Sequence, residues 1–136
     1  MKEAKLKKSG ILNKDISEVI AGVGHMEYIT ICDAGLPIPE SVRRIDLAVT
    51  EDLPGFIDVV RAVSFELIIE KVILAEEIIK RSPNIDKEIK LLFPKIKIEY
   101  IPHEDFKKYS VHSRAIIRTG ECTPYANVIL VSGVSF

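Results

Sequence analysis

Tyr28-Ile29-Thr30-Ile31-Cys32-Asp33-Ala34-Gly35-Leu36-Pro37-Ile38-Pro39 passes abruptly from one kind of chain to another. Its first five residues are dense in β-branched side chains and predict a strand. The glycine and the two prolines that follow exclude helix and central strand, so the second half reads as an ordered, stiffened loop. Asp33 stands at the junction. In open α/β sheets, ligand sites gather at the carboxyl ends of strands. A carboxylate there can orient a histidine, accept from a sugar hydroxyl or bind a metal. Its ordinary structural role, an Asx turn with the backbone that follows, stays open beside these.

Working outward, strand and helix patterns alternate on both sides. Asn13 and Asp15 can cap a helix whose Ile16, Val19 and Ile20 share a face, with Gly22 or Gly24 to end it. Ile45 to Val49 reads as a short strand. Asp52-Leu53-Pro54 opens a helix carrying Phe56, Val59, Val60 and Val63 on one side. Phe65 to Ala75 is divided between β-branched content and helical Glu/Lys spacing, and is read as a strand from Glu70 to Ala75. Ser82-Pro83-Asn84 starts a helix over Ile85–Phe93. Lys95 to Tyr100 alternates as a half-exposed strand. A short helix over His103–Tyr109 and strands over Ala115–Arg118 and Val128–Val131 complete the pattern. This alternation predicts an α/β fold with a mixed or largely parallel sheet.

The composition fits one domain of this kind. At 136 residues the chain has the length of a single unit, 1–136, and 47% hydrophobic residues suffice for a core. With 19 Lys+Arg against 20 Asp+Glu, there is no basic excess for a general nucleic-acid binder. No apolar run reaches the length of a membrane span, and residues 1–10 do not resemble a secretory signal, so the expected compartment is the cytoplasm. Cys32 and Cys122 have no zinc spacing and are expected to be reduced and packed. The apolar Gly133-Val134-Ser135-Phe136 is expected to dock, into its own core or against a neighbouring subunit.

Polar residues beside strands supply the candidate site. His25 follows a helix end and can serve as a general acid or bond to helix carbonyls. His103, in Pro102-His103-Glu104, follows another strand; His112 reads as surface. Thr119 to Asn127 is the densest polar segment, and Tyr125, Ala126 and Asn127 offer a phenol, backbone groups and an amide for a polyol. The alternative for that segment is a hairpin turn. Arg43, Arg44 and Glu40 are expected in solvated pairs. Gly22-Val23-Gly24-His25 follows a helix and is not a dinucleotide fingerprint. These residues point to a small polar ligand, with acid–base chemistry or with binding alone.

The ordered set Gly10-Ile11-Leu12-Asn13, Gly24-His25, Cys32 to Pro39, Arg44-Ile45-Asp46, Ala75-Glu76-Glu77, His103-Glu104 with Phe106, and Gly120 to Asn127 resembles the RbsD/FucU sugar mutarotase family from Lys7 to Phe136. The fucose members typically carry Asp-Ala-His-Phe-Pro and Lys-Tyr-Gly-Asn where this chain has Asp33-Ala34-Gly35-Leu36-Pro37 and Pro124-Tyr125-Ala126-Asn127, which places the resemblance in the ribose branch. Residues 1–5 are expected to be an extension without catalytic role.

The resemblance implies a three-layer fold with helices flanking a mixed, largely parallel central sheet. It implies interconversion of the β-pyranose and β-furanose forms of D-ribose without cofactor or metal, supplying ribokinase after transporter-mediated uptake. It also implies homo-oligomers, pentameric rings stacked into decamers, with sites near subunit interfaces. The proton donor carries onto His25 and the sugar-binding positions onto Asp33, His103, Tyr125, Ala126 and Asn127. On this expectation His25 protonates the ring oxygen with Asp33 biasing its charge, while His103 or a water takes the anomeric proton. L-fucose mutarotase activity and a non-catalytic ribose-binding or regulatory role are the alternatives, with a metal held by His25, His103 and Asp33 as a remoter one.

Overall fold

The computed structural model describes residues 6–136, so the expected extension over residues 1–5 lies outside the described part. Six strands form one sheet: β1 Tyr28–Cys32, β2 Arg44–Asp46, β3 Ile69–Ala75, β4 Lys97–Ile101, β5 Ile116–Arg118 and β6 Val128–Ser132. Their order across the sheet is β2-β5-β1-β6-β3-β4. The β1–β5, β2–β5 and β3–β4 pairs are parallel, whereas β6 is antiparallel to both of its neighbours, β1 and β3. Five strands therefore point one way and β6 alone points back. The expected mixed, largely parallel sheet is present.

The inner strands are buried on both faces, which explains their near-continuous apolar runs. On one face, Ile29, Ile31, Val72, Leu74, Ile117 and Leu130 meet α1 (Lys14–Gly22), α2 (Phe56–Ser64) and α4 (Pro83–Leu92) through Ile16, Val59, Val63 and Ile89. On the other, Cys32, Ile73, Ile116 and Ile129 meet Leu36, Val42 and Phe106 of α5 (His103–Ser110). Phe56 and Phe106 are fully buried, one on each side. Each such side chain stabilises the fold by roughly 1.5–3 kcal/mol. The result is three layers.

The helix starts follow local chemistry. Asn13 Oδ1 accepts the Ile16 amide at 2.9 Å and fixes the start of α1, which ends at Gly22. The second helix opens at Phe56, beyond the expected Asp52-Leu53-Pro54, because its cap is distant in sequence: Glu121 Oε1 accepts the Phe56 amide at 2.9 Å. Pro83 stands at the first position of α4, where its missing N–H costs nothing.

Other differences are confined to edges. The strand expected over Ile45–Val49 is β2, Arg44–Asp46, since Asp46 Oδ1 takes the Ala48 amide and turns the chain away. A one-turn helix, α3 (Ile78–Arg81), follows β3 and was not expected. The Thr119–Asn127 segment is not a hairpin: β5 and β6 lie on opposite sides of β1. Cys32 is buried as expected, but Cys122 is exposed. Phe136 is fully exposed, so it does not enter this chain's own core. Arg43 pairs with Asp15 and Glu18 of α1, Arg44 with Asp46, and His112 lies at the surface.

Candidate functional site

The reversed direction of β6 decides what meets at one edge of the sheet. Residues leaving β1 and β4 stand there beside the residue entering β6. Asp33, His103 and Asn127 thereby line one open cleft of about 290 Å³, together with Gly35, Leu36, Pro37 and Tyr125. That volume is at the small end of ligand pockets. A second hollow, lined by Glu121, Cys122, Thr123 and Pro124, shares Asp33 and Gly35 with it.

Asp33 is held from three directions. Its Oδ1 accepts the Gly35 and Leu36 amides at 3.0 and 2.9 Å, so the Asx turn is real. Its own amide donates to Asn127 Oδ1 at 2.9 Å. The loop beyond is tied down by Arg118 Nε donating to the Ala34 carbonyl and by the Ala34 amide donating to the Glu121 carbonyl. Burial pushes the Asp33 carboxyl up from its ordinary value, although the two amides, the Asn127 side chain and nearby His103 pull the other way. A carboxylate held in a half-dry cleft with a histidine opposite it is suited to polar-ligand chemistry.

His103 opens α5. Its backbone N–H donates to both carboxylate oxygens of Glu77, at 3.0 and 3.2 Å, which sets a negative charge at the helix N-terminus. Its Nδ1 is buried without a hydrogen-bond partner among the described residues. A buried polar atom of this kind is suited to a ligand hydroxyl. The ring of Tyr125 meets His103 edge-on at 5.0 Å between centroids, and the Arg81 guanidinium lies 5.9 Å from the centre of the Tyr125 ring. Tyr125 adopts a φ of 62°, a left-handed conformation unusual for an aromatic residue and characteristic of functional segments. Ala126 and Asn127 are buried, and the Asn127 amide bonds back to the Tyr125 carbonyl at 2.8 Å.

Of the six residues singled out from the sequence, Asp33, His103, Tyr125 and Asn127 line the cleft, while Ala126 is buried in the core and does not line it. His25 does not join them within one chain. It precedes β1 while Asp33 follows it, and five residues of strand put about 17 Å between the two edges. Within one chain, therefore, Asp33 and His25 do not meet. Glu70 stands beside His25 instead, with Oε2 at 3.2 Å from His25 Nε2. The metal arrangement using His25, His103 and Asp33 is not assembled in one chain for the same reason. Two groups escaped the sequence reading. Glu77 was visible as a carboxylate just after a strand, whereas Arg81 lies in the unexpected α3.

Comparison with known proteins identifies a family. The model of the RbsD / FucU transport protein family matches residues 6–135. A protein of Glaesserella parasuis named D-ribose pyranase is 52% identical, covering 96% of this chain and 100% of its own length. One of the same name from Bacillus cereus is 51% identical at the same coverage. The solved structure of Bacillus subtilis RbsD complexed with D-ribose superposes with a TM-score of 0.93 at 45% identity, covering 96% of this chain and all of that one. A fucose mutarotase from Streptococcus pneumoniae in complex with L-fucose has a TM-score of 0.79 at 20% identity, covering 91% and 94% of the two chains. The last comparison speaks to the fold alone.

Proposed function

This chain belongs to the RbsD / FucU family, and from that premise we propose that it is a D-ribose pyranase, exchanging the β-pyranose and β-furanose forms of the free sugar. The observation that carries the reading is the cleft in which Asp33, His103, Tyr125 and Asn127 face a common space at the sheet edge. Ring exchange needs little more than positioned proton carriers. A proton must reach the ring oxygen as the C1–O bond breaks, and another must leave the anomeric hydroxyl. The open aldehyde then turns and is captured by a different hydroxyl.

Both backbone donors to Asp33 fall on Oδ1, so Oδ2 is the oxygen left for a sugar hydroxyl. His103, which lines the cleft, takes the anomeric proton directly or through a water. Tyr125 and Asn127 hold the remaining hydroxyls. His25 is the proton donor, and it reaches the cleft from a neighbouring copy in a ring-shaped homo-oligomer. Its half-exposed side chain at the far sheet edge and the exposed Val134 and Phe136 support that arrangement. Each positioned acid or base contributes about 10²–10⁴-fold. The setting is cytoplasmic: sugar delivered by a transporter is converted to the furanose that ribokinase consumes. No described helix is long and apolar enough to cross a membrane.

Magnetisation exchange between the anomeric protons of D-ribose, with and without protein, tests the reading. Faster pyranose–furanose exchange that survives a chelator supports it. Unaltered ribose exchange overturns it, with acceleration on L-fucose pointing to a fucose mutarotase and binding without exchange to a ribose-binding protein.

A further inference from the structure

We propose that Glu70 is the positioning residue for His25, holding Nε2 so that Nδ1 is the ring atom that meets the sugar. The inference rests on the reading of His25 as proton donor and goes beyond it by assigning its partner and its working nitrogen. Four observations converge. Glu70 Oε2 lies 3.2 Å from His25 Nε2. The pairing of β3 with β6 slips between Ile69, opposite Ser132, and Lys71, opposite Val131, so Glu70 is the extra residue of a β-bulge. Bulges of this kind re-aim a side chain, often beside an active site. Gly133 faces the bulge: a Cβ there would lie 3.1 Å from Glu70 Cβ.

The turn carrying His25 hangs from the same place. The Met26 amide donates to the Ser132 carbonyl and the Ser132 amide to the Glu27 carbonyl, both at 2.8 Å, with Met26 at a φ of 70°. Glu27 Oε1 closes the turn on the Gly24 amide at 2.7 Å. Histidine and carboxylate are thus both referenced to the end of β6. Neither is deeply buried, with side chains 49% and 43% exposed, so the pair adds little to stability. A strained turn and a bulge that serve no core are accounted for by function.

The hydrogen bond made by one imidazole nitrogen determines what the other presents. With Nε2–H donated to Glu70, a protonated His25 offers Nδ1–H to the ring oxygen. That proton moves to the oxygen as the C1–O bond breaks, while the base in the cleft takes the anomeric hydroxyl proton. The charge change on the sugar is nil. After rotation, the capturing hydroxyl returns its proton to Nδ1 as it adds to C1, and the base gives its proton back to the former carbonyl oxygen.

Ring-exchange kinetics on the intact oligomer test this. Glu70→Ala is expected to lower kcat about 10- to 100-fold, with KM and melting temperature nearly unchanged, as for loss of a group acting only on the reacting step. Glu70→Gln, whose amide oxygen still accepts from Nε2, recovers most of that loss. The double variant Glu70→Ala with His25→Ala is no slower than His25→Ala alone, because the two act as one unit. Nitrogen-15 NMR of His25 shows a single Nε2–H form when neutral, and a mixture of tautomers in Glu70→Ala. If His25→Ala abolishes exchange while Glu70→Ala stays within twofold of wild type, the role of Glu70 is overturned and that of His25 stands. Additive losses, or a Gln variant as slow as Ala, also overturn it. If His25→Ala remains active, the reading of His25 itself fails.

Discussion

The side chain of Asn127 accepts the backbone N–H of Asp33 at 2.9 Å, so the residue entering β6 holds the residue leaving β1. Asn127 is 1% exposed. Asn127→Ala leaves a part-buried donor without its partner, which costs about 1–2 kcal/mol. Urea denaturation should show that loss, and ring exchange should fall at least tenfold as the Asp33 loop loosens. Asn127→Asp keeps an acceptor but places a second carboxylate beside Asp33, so exchange should suffer more than stability.

Asp33→Asn separates stability from activity. The amide oxygen still accepts from Gly35 and Leu36, so the turn survives. Burial raises the carboxyl's pKa in the folded state. A raised folded pKa means that stability is greatest below the unfolded value and is lost as pH rises through the folded one. The Asn variant should therefore be at least as stable as wild type at neutral pH, with its advantage vanishing as the pH falls below the ordinary carboxylate range. Denaturation across that range checks the sign. The KM for ribose should rise about 10- to 100-fold, the value of a hydrogen bond to a charged group.

Mixing inactive variants tests where His25 acts. His25→Ala retains an intact cleft, and Asn127→Ala retains an intact His25. Neither works alone, but co-refolded in equal amounts they should recover about a quarter of wild-type exchange if each site joins two copies at random. No recovery would mean that His25 does not act across a subunit boundary.

The two cysteines should differ sharply toward a thiol reagent. Burial, the largest cause, and the neighbouring Asp33 push the Cys32 thiol up to about 12. It should react only after unfolding. Cys122 is exposed and lines the hollow that shares Asp33 with the cleft, so it should label in the native protein. A bulky maleimide there should slow exchange, and saturating ribose should slow the labelling.

Most of the fold was legible because inner strands buried on both faces leave unbroken β-branched runs, as in Tyr28–Cys32 and Val128–Ser132. The placing of Asp33 and His103 after strands was legible too, and the parallel direction of those strands is what brings them to one end of the sheet. Asn127 needed one more fact, that β6 runs backwards, and this is fixed by tertiary pairing. The same rule that unites Asp33 and His103 sends His25 to the other edge, because it precedes its strand. Glu70 left no such trace: a bulge depends on register with a strand far along the chain. The cap of α2 by Glu121 is hidden for the same reason.

The central place of β6 also bears on biosynthesis. The blocks β2-β5-β1 and β3-β4 meet only through it, and it is the last of the six strands in chain order. Until Val128–Ser132 has left the ribosome, both blocks present bare hydrogen-bonding edges flanked by apolar side chains. Such edges are templates for pairing with other chains. The nascent polypeptide is thus most exposed to aggregation just before the strand that closes the sheet, and that interval is where a chaperone would matter most.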